Sequence, residues 1–315
     1  MVFPLLTFLF SPSIWANNMS TVLLANCLVC GSDQLKSVYA CIDHTTSGET
    51  FHLHQCSACA FLFTNPHPDE QSIGPYYESE NYISHTSSKK TLLDNVYQWA
   101  RLYNLSLKHN LVKKFASGKK ILDFGCGTGH FLAYMKKKGM SVEGIEPSVH
   151  ARTKAHSVLK QKVYSSLEEI PSGEFDVITL WHVLEHIHQL HETLQQLKER
   201  LTHNGTIFIA VPNHSSADAM HYQEHWAAYD VPRHLWHFTK DSMYKILQKH
   251  DLRIHHIEPM KLDAYYVSLL SEKYMNPRSL KITQLVKGLQ TGWLSNRQAQ
   301  KTGEHSSLIY IAQHA

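Results

Sequence analysis

Residues 119–131, KKILDFGCGTGHF, run from an apolar stretch into a turn with glycine at 125, 127 and 129. Glycines this dense mark backbone that must adopt positive φ, and an apolar run entering such a turn ahead of a helical pattern defines a strand–turn–helix unit. The pattern then repeats. GHFLAYMKKKG predicts a helix stopped at Gly139, SVEGIEPS a second strand, VHARTKAHSVL a helix and KVY a short strand. FDVITLW reads as a strand buried on both faces, and LHETLQQLKERLTHNG as an amphipathic helix stopped at Asn204–Gly205. TIFIAVPN, LRIHHIEP and SLIYIAQ supply the remaining strands. Alternation of this kind predicts an α/β fold: a doubly wound, mostly parallel seven-stranded sheet that takes ligands at the carboxyl ends of its strands.

With 315 residues the chain has room for one such domain, expected over 115–260, and smaller units around it. The first is built on CLVC and CSAC, that is Cys27, Cys30, Cys56 and Cys59. Two C-x-x-C knuckles at this separation provide the ligand set of a closed, tetrahedral, structural zinc site, so 25–66 reads as a zinc ribbon. Two disulfides in an exported protein would use the same thiols; zinc is the expectation for a cytoplasmic chain. Residues 67–114 read as a helical linker or lid, with apolar side chains at helical spacing from Leu92 to Leu105. The stretch between the last two strands exceeds a normal connection and contains the helix-like AYYVSLLSEKYM, so 261–315 reads as an insertion plus the last strand. Residues 1–24 form an extension. Its apolar MVFPLLTFLFSPSIWANN is expected to be a misassigned start ahead of Met19 or a tail, the alternative being a short signal peptide lacking its basic region.

The spacing of the turn selects its ligand. G-x-G-x-G places His130 where a dinucleotide fingerprint requires its third glycine, and no phosphate-binding Gly-Lys-Ser/Thr follows. Asp123, at the head of the turn, would repel a pyrophosphate but suits an ammonium group. Glu146, at the end of the next strand, can accept both hydroxyls of a ribose, and the helix start offers N–H groups to a carboxylate. Together these features favour S-adenosylmethionine over a nicotinamide cofactor. The order D-x-G-x-G-x-G, acidic strand end, FDVITLWHVLEHI resembles the class I S-adenosylmethionine-dependent methyltransferases, whose fold is Rossmann-like, over residues 115–260. That resemblance implies that Asp123, Gly125, Cys126, Gly127 and Gly129 cradle the methionine part and that Glu146 holds the ribose. It places Ser166 and Leu167 beside the adenine, and Trp181 and His182 at the sulfonium end. A zinc ribbon ahead of such a domain is similar to the bacterial deoxysugar C-methyltransferases.

Methyl transfer needs an aligned acceptor and, for a hydroxyl or carbon acid, a base; histidine suits that task at neutral pH. The same resemblance places a histidine at His186 and a catalytic histidine at His234, in the H-L-x-x-F context of HLWHF. The residues before it, Val-Pro-Arg, depart from that family's Tyr-His-Glu, which puts a sugar acceptor in doubt. Arg233 could clamp an anionic acceptor, and His237 joins the same group, in a loop expected to act as a lid. The plainer alternative is that Pro232-Arg233-His234 only anchors the following helix. Tyr82 and His85, from the linker, and Asp230 and Tyr266 are weaker candidates. HVLEH also spells H-x-x-E-H, a zinc-protease motif, and a cofactor-binding module without turnover is the other alternative. A net charge of +3 and the lack of a basic stripe argue against nucleic acid and against a membrane, leaving a small-molecule acceptor as the expected partner.

Overall fold

A computed structural model describes residues 20–78, 92–171 and 173–315. The N-terminal extension up to residue 19 and the candidates Tyr82 and His85 lie outside the described residues. The chain opens with β1 (Thr21–Val22), β2 (Leu35–Ile42), β3 (Thr50–Cys56), β4 (Leu62–Thr64) and β5 (His67–Pro68). A single helix, α1 (Leu92–Phe115), leads into the large domain. Then follow β6 (Lys120–Phe124), α2 (His130–Lys137), β7 (Ser141–Ile145), α3 (Val149–Leu159), β8 (Phe175–Trp181), α4 (Leu190–Glu199) and β9 (Leu201–Pro212). Next come α5 (Ala217–Tyr222), β10 (Trp236–His237), α6 (Lys240–Lys249), β11 (Leu252–Pro259), α7 (Asp263–Met275), α8 (Lys281–Thr302) and β12 (Ser307–His314).

The large sheet has the order β11-β12-β9-β8-β6-β7; β7, β6, β8 and β9 run parallel, while β12 lies antiparallel to β9 and β11 to β12. Six strands form among the described residues. KVY contributes only a bridge from Tyr164 to Ile145, parallel to β7, so the expected seventh strand is reduced to one pair. The central β8 is apolar except at Asp176 and Thr179 because both of its faces are covered, and Val177, Ile178 and Leu180 are fully buried.

Asn204–Gly205 does not stop a helix. The helix ends at Glu199, and the pair lies inside β9, where the register jumps between Phe175↔Leu201 and Val177↔Thr206. The extra residues bulge, and a Cβ on Gly205 would stand 2.9 Å from the Thr202 carbonyl oxygen. A turn-type dipeptide therefore marks a strand irregularity rather than a helix stop.

The four-cysteine module does not close on itself. Its sheet has the order β10-β4-β3-β2, and β10 comes from the segment after β9, with Trp236 opposite Phe63 and His237 opposite Leu62. Segment 225–239 is thus no lid; Trp226, Leu235, Trp236 and Phe238 are all buried. Phe61, Phe63, Trp236 and Phe238 form one aromatic cluster with ring centroids 5.9–6.5 Å apart. That cluster merges with the core beneath β8 and β9. The insertion is a helical hairpin, α7 packed on α8, rather than a single helix.

Candidate active site

The glycine turn leaves β6 between β7 and β8, at the carboxyl edge of the parallel strands. Gly125, Gly127 and Gly129 have φ of 75°, 53° and 75°, conformations that L side chains rarely adopt. Gly125 has a second reason to be glycine, since a Cβ there would lie 2.6 Å from Val183 Cγ2. At Gly127 a Cβ would meet nothing within 4 Å, so this position faces open space. The N–H groups of Gly125 and Cys126 both donate to the Ile145 carbonyl, which ties the turn to β7. Cys126 itself points inward, and its thiol is pushed up by burial beside Asp123 and Glu146.

Glu146 bridges two chain segments. One oxygen accepts from Gly127 N–H at 2.8 Å, the other from Ser148 N–H at 2.9 Å at the start of α3. Burial raises its carboxyl, and those N–H groups oppose the rise. Asp123 accepts a 2.6 Å hydrogen bond from Thr179 and is 2 % exposed. Burial pushes its carboxyl up to about 7, against the pull of Thr179 and Lys108.

Lys108, on α1, carries no motif and was missed in the sequence. Its Nζ lies 4.3 Å from the Trp181 ring centroid and 5.9 Å from that of Phe131. Burial draws its ammonium down to about 8 despite Asp123 and Asp263. Its only sequence signal is its place on the helical pattern leading into the domain. The Trp181 ring stands edge-to-face on Phe131, 5.5 Å away, and its buried indole N–H has no hydrogen-bond partner among the described residues. The orphaned buried donor, the cation-holding aromatic face and the open space at Gly127 fit a ligand with both polar and cationic parts. Leu167 is packed into the core, and Ser166 hydrogen-bonds Glu168.

His182 sits at the end of β8 with φ of 58°. Its nitrogens face Glu185 Oε1 at 3.3 Å and Asp263 Oδ2 at 3.1 Å. Burial disfavours its charge, but the two carboxylates overcome that and push the imidazole up to about 10. HVLEH is therefore a strand end followed by a 3-10 turn, Leu184–His186, and not the helix a zinc protease needs.

His186 and His234 come together, ring centroids 4.6 Å apart and edge to face. His186 Nδ1 lies 3.0 Å from the Arg233 carbonyl and 3.0 Å from the Tyr77 hydroxyl. Burial and the neighbouring His234 push its imidazole down to about 4. His234 Nδ1 lies 2.8 Å from the Ala228 carbonyl, and its Nε2 is 3.9 Å from Asp230 Oδ2. Glu185 is fully buried, and its Oε2 has no hydrogen-bond partner among the described residues. One polar atom from each of Glu185, His186 and His234 falls within 4.8 Å of the others.

Arg233 and His237 lie elsewhere. All five Arg233 donors are engaged: Nε and Nη2 on Asp230, Nη2 also on Asp43 at 2.9 Å, and Nη1 on the Tyr76 carbonyl and Thr46. With its side chain 1 % exposed, it bolts the cysteine module to the loop and has no donor left for an acceptor. His237 lies in β10, its Nε2 3.2 Å from Thr64 Oγ1, inside the joint between the sheets. A small recess opens beside Asp230, lined also by His44 and Tyr274; none of the cofactor candidates lines it.

The four cysteines converge. Cys27–Cys59 and Cys30–Cys56 sulfur pairs stand at 3.5 Å, all four sulfurs fall within 4.8 Å of one another, and all are free thiols. A tetrahedron of sulfurs at zinc-bond length has edges of about 3.8 Å, so the donor set fits. Gly31 and Ala60 occupy the same left-handed position in the two knuckles, with φ of 77° and 60°.

Comparison with known proteins agrees with this geometry. A family model described as a methyltransferase domain matches residues 97–257, more than half of the chain. The mitochondrial ubiquinone biosynthesis O-methyltransferase of Schizosaccharomyces pombe is 36% identical over 104 residues, 30% of this chain and 38% of that protein. The ubiquinone biosynthesis O-methyltransferase of Glaesserella parasuis is 30% identical over 114 residues, 31% of this chain and 48% of that protein. The chain thus spans less than half the length of these relatives. The magnesium protoporphyrin IX methyltransferase of Synechocystis PCC 6803, solved with bound SAH, shares the fold at a TM-score of 0.51 and 12% identity, over 78% of this chain and all of that one. The glycine turn, the acidic strand end and the family match all fall on one doubly wound sheet, and the chain belongs to the methyltransferase-domain family.

Proposed function

We propose that the chain transfers a methyl group from S-adenosylmethionine to a small-molecule acceptor, with His234 as general base. The observation that carries the cofactor is the edge formed by Gly127, Glu146, Asp123 and Trp181: open space, one buried and one half-buried carboxylate and an orphaned indole N–H. When bound, the sulfonium supplies an already activated methyl group. Glu146, held by Gly127 N–H, orients the nucleoside, Asp123 receives the ammonium, and Trp181 borders the sulfonium with its aromatic face.

The hydrogen bonding favours His234 as the base of the pair. An Nδ1–H given to Ala228 leaves the Nε2 lone pair free to take a proton, and Asp230 beside it stabilises the resulting cation. Glu185 adds a second negative charge to that corner. His186, held low by burial, stays neutral and positions the ring of His234. The O-methyltransferase relatives favour a hydroxyl acceptor, and the ubiquinone named for them favours a phenolic one; a C-methyl acceptor is the second reading. Cys27, Cys30, Cys56 and Cys59 hold a structural zinc, a thiolate site suited to the reducing cytoplasm.

The test is calorimetric titration of S-adenosylhomocysteine into the purified chain, followed by an acceptor screen. Glu146→Ala should weaken binding by at least about tenfold, the loss of one charged hydrogen-bonding group. His234→Ala should retain binding and lose about 10²–10⁴ in turnover. Binding without turnover on any phenolic or sugar acceptor would favour a cofactor-binding module, and no binding at all would overturn the proposal.

A further inference from the structure

The α7–α8 hairpin leaves an apolar face uncovered, and the reason lies in how its helices meet. Along the seam α8 uses only small residues: Gly288, Gly292, Ser295 and Ala299 are buried. A Cβ at Gly292 would stand 2.8 Å from the Ala264 carbonyl oxygen, and one at Gly288 2.9 Å from Leu269 Cα. Close approach on this side turns the large apolar residues away from the seam. Ile282, Leu285, Val286, Leu289, Trp293 and Leu294 are between 43 and 63 % exposed. At 100° per residue, Ile282, Leu285, Val286, Leu289 and Trp293 fall within an arc of about 100°, a continuous stripe along the helix. Isolated exposed apolar residues are ordinary; a stripe over three turns of one helix is an interaction surface.

Charge decides what the stripe fits. α8 carries Lys281, Lys287, Arg297 and Lys301 and no acidic residue, so this one helix holds more positive charge than the net +3 of the chain. By helical position Arg297 and Lys301 border the stripe on its outer side, away from the seam, while Lys287 lies on the far flank. The Arg297 guanidinium lies over the Trp293 ring, 5.3 Å from its centroid. Lys287 has Glu272 of α7 at 3.9 Å. Two copies paired through this face would bring basic rows together with no acidic residue on α8 to answer them. The apolar extension before Met19 carries no charge and complements the stripe but not its border. An apolar stripe with Trp and Leu, bordered by Lys and Arg, suits a helix lying in the interface of an anionic bilayer. No described helix is long and apolar enough to cross a membrane, so α8 would lie on the surface.

We propose that α8 docks the protein peripherally on anionic lipid surfaces, through Ile282, Leu289 and Trp293 with Arg297 and Lys301 at the headgroups. The proposal is independent of the acceptor and reverses the expectation drawn from overall charge, which averages away a helix this asymmetric. The test is co-sedimentation of the full chain with phosphatidylcholine vesicles, with and without phosphatidylglycerol. Expected are pelleting with the phosphatidylglycerol vesicles alone, release by high salt, and at least about a tenfold loss for Leu289→Ser/Trp293→Ser and for Arg297→Glu/Lys301→Glu. Circular dichroism and S-adenosylhomocysteine affinity should be unchanged in both variants, which separates lost docking from lost folding. Equal pelleting of wild type and variants would overturn the proposal. So would a dimer in sedimentation velocity that Leu289→Ser/Trp293→Ser dissolves, because the stripe would then serve a second copy.

Discussion

Asp123 sits at the head of the glycine turn with its carboxyl pushed up to about 7 by burial, so near neutral pH it is poised between charged and neutral forms. A ligand ammonium favours the charged form. The sign follows: below pH 7 binding must first ionise Asp123, so S-adenosylhomocysteine affinity should rise with pH through about 7 and level off above it. Asp123→Asn should flatten that dependence and weaken binding at high pH, as read by calorimetry across pH 5.5–8.5. A pH-independent affinity in the wild type would show that the ammonium does not meet Asp123. Lys108 works in the opposite sense, since its own cation already lies on the Trp181 face toward which Asp123 and Asp263 draw it.

Arg233 shows how an element can change the meaning of a motif residue. Read along the chain, Val-Pro-Arg-His sits in a polar loop and offers a cationic clamp. In the fold, β10 joins the sheet of β2–β4, and the guanidinium is enclosed between Asp43 of one unit and Asp230 of the other. Those partners hold its charge firmly, and its role is to lock the His234 loop to the cysteine module. Arg233→Met should destabilise the chain by about 3–5 kcal/mol, because Asp43 and Asp230 would be left without their cation. Chemical unfolding should detect the change, and Asp43→Asn/Arg233→Met should cost less than the sum of the single changes. Purely additive effects would mean that the buried pair is not energetically coupled.

Across the whole molecule, the cysteine module and the methyltransferase domain share one core, since Cys27, Cys56, Phe61 and Phe63 cluster with Ile178, Leu180 and Trp236. Metal loss should therefore be felt at His234, two residues before β10, and less at the glycine turn, which is tied to β7. Stripping the proposed zinc with a chelator should lower Tm and turnover together while leaving S-adenosylhomocysteine affinity within about threefold, and zinc should restore both. Turnover unchanged after complete metal removal would mean that the module and the base are uncoupled.

Much of the large domain was legible because its signals are local. The bounds of α3 and β8 coincide with VHARTKAHSVL and FDVITLW, since a helix period and a doubly buried strand are written into consecutive residues. The glycine turn was legible because φ near +75° at Gly125 and Gly129 leaves few alternatives to glycine. The convergence of the four sulfurs likewise follows from two repeated tight turns. Other features depend on what lies across space. Asn204–Gly205 stops a helix or bulges a strand according to which strand pairs beside it, and only the pairing of β8 with β9 decides. The same holds for β10, for the ion pair that occupies Arg233, for the meeting of His186 with His234, and for Lys108 on Trp181. The sequence by itself determined the βα units and the thiolate cluster, because backbone conformation and periodicity are properties of neighbours in the chain. Which histidines meet, which cation is neutralised and which apolar face stays bare were decided by the tertiary structure, because burial and charge pairing are properties of neighbours in space.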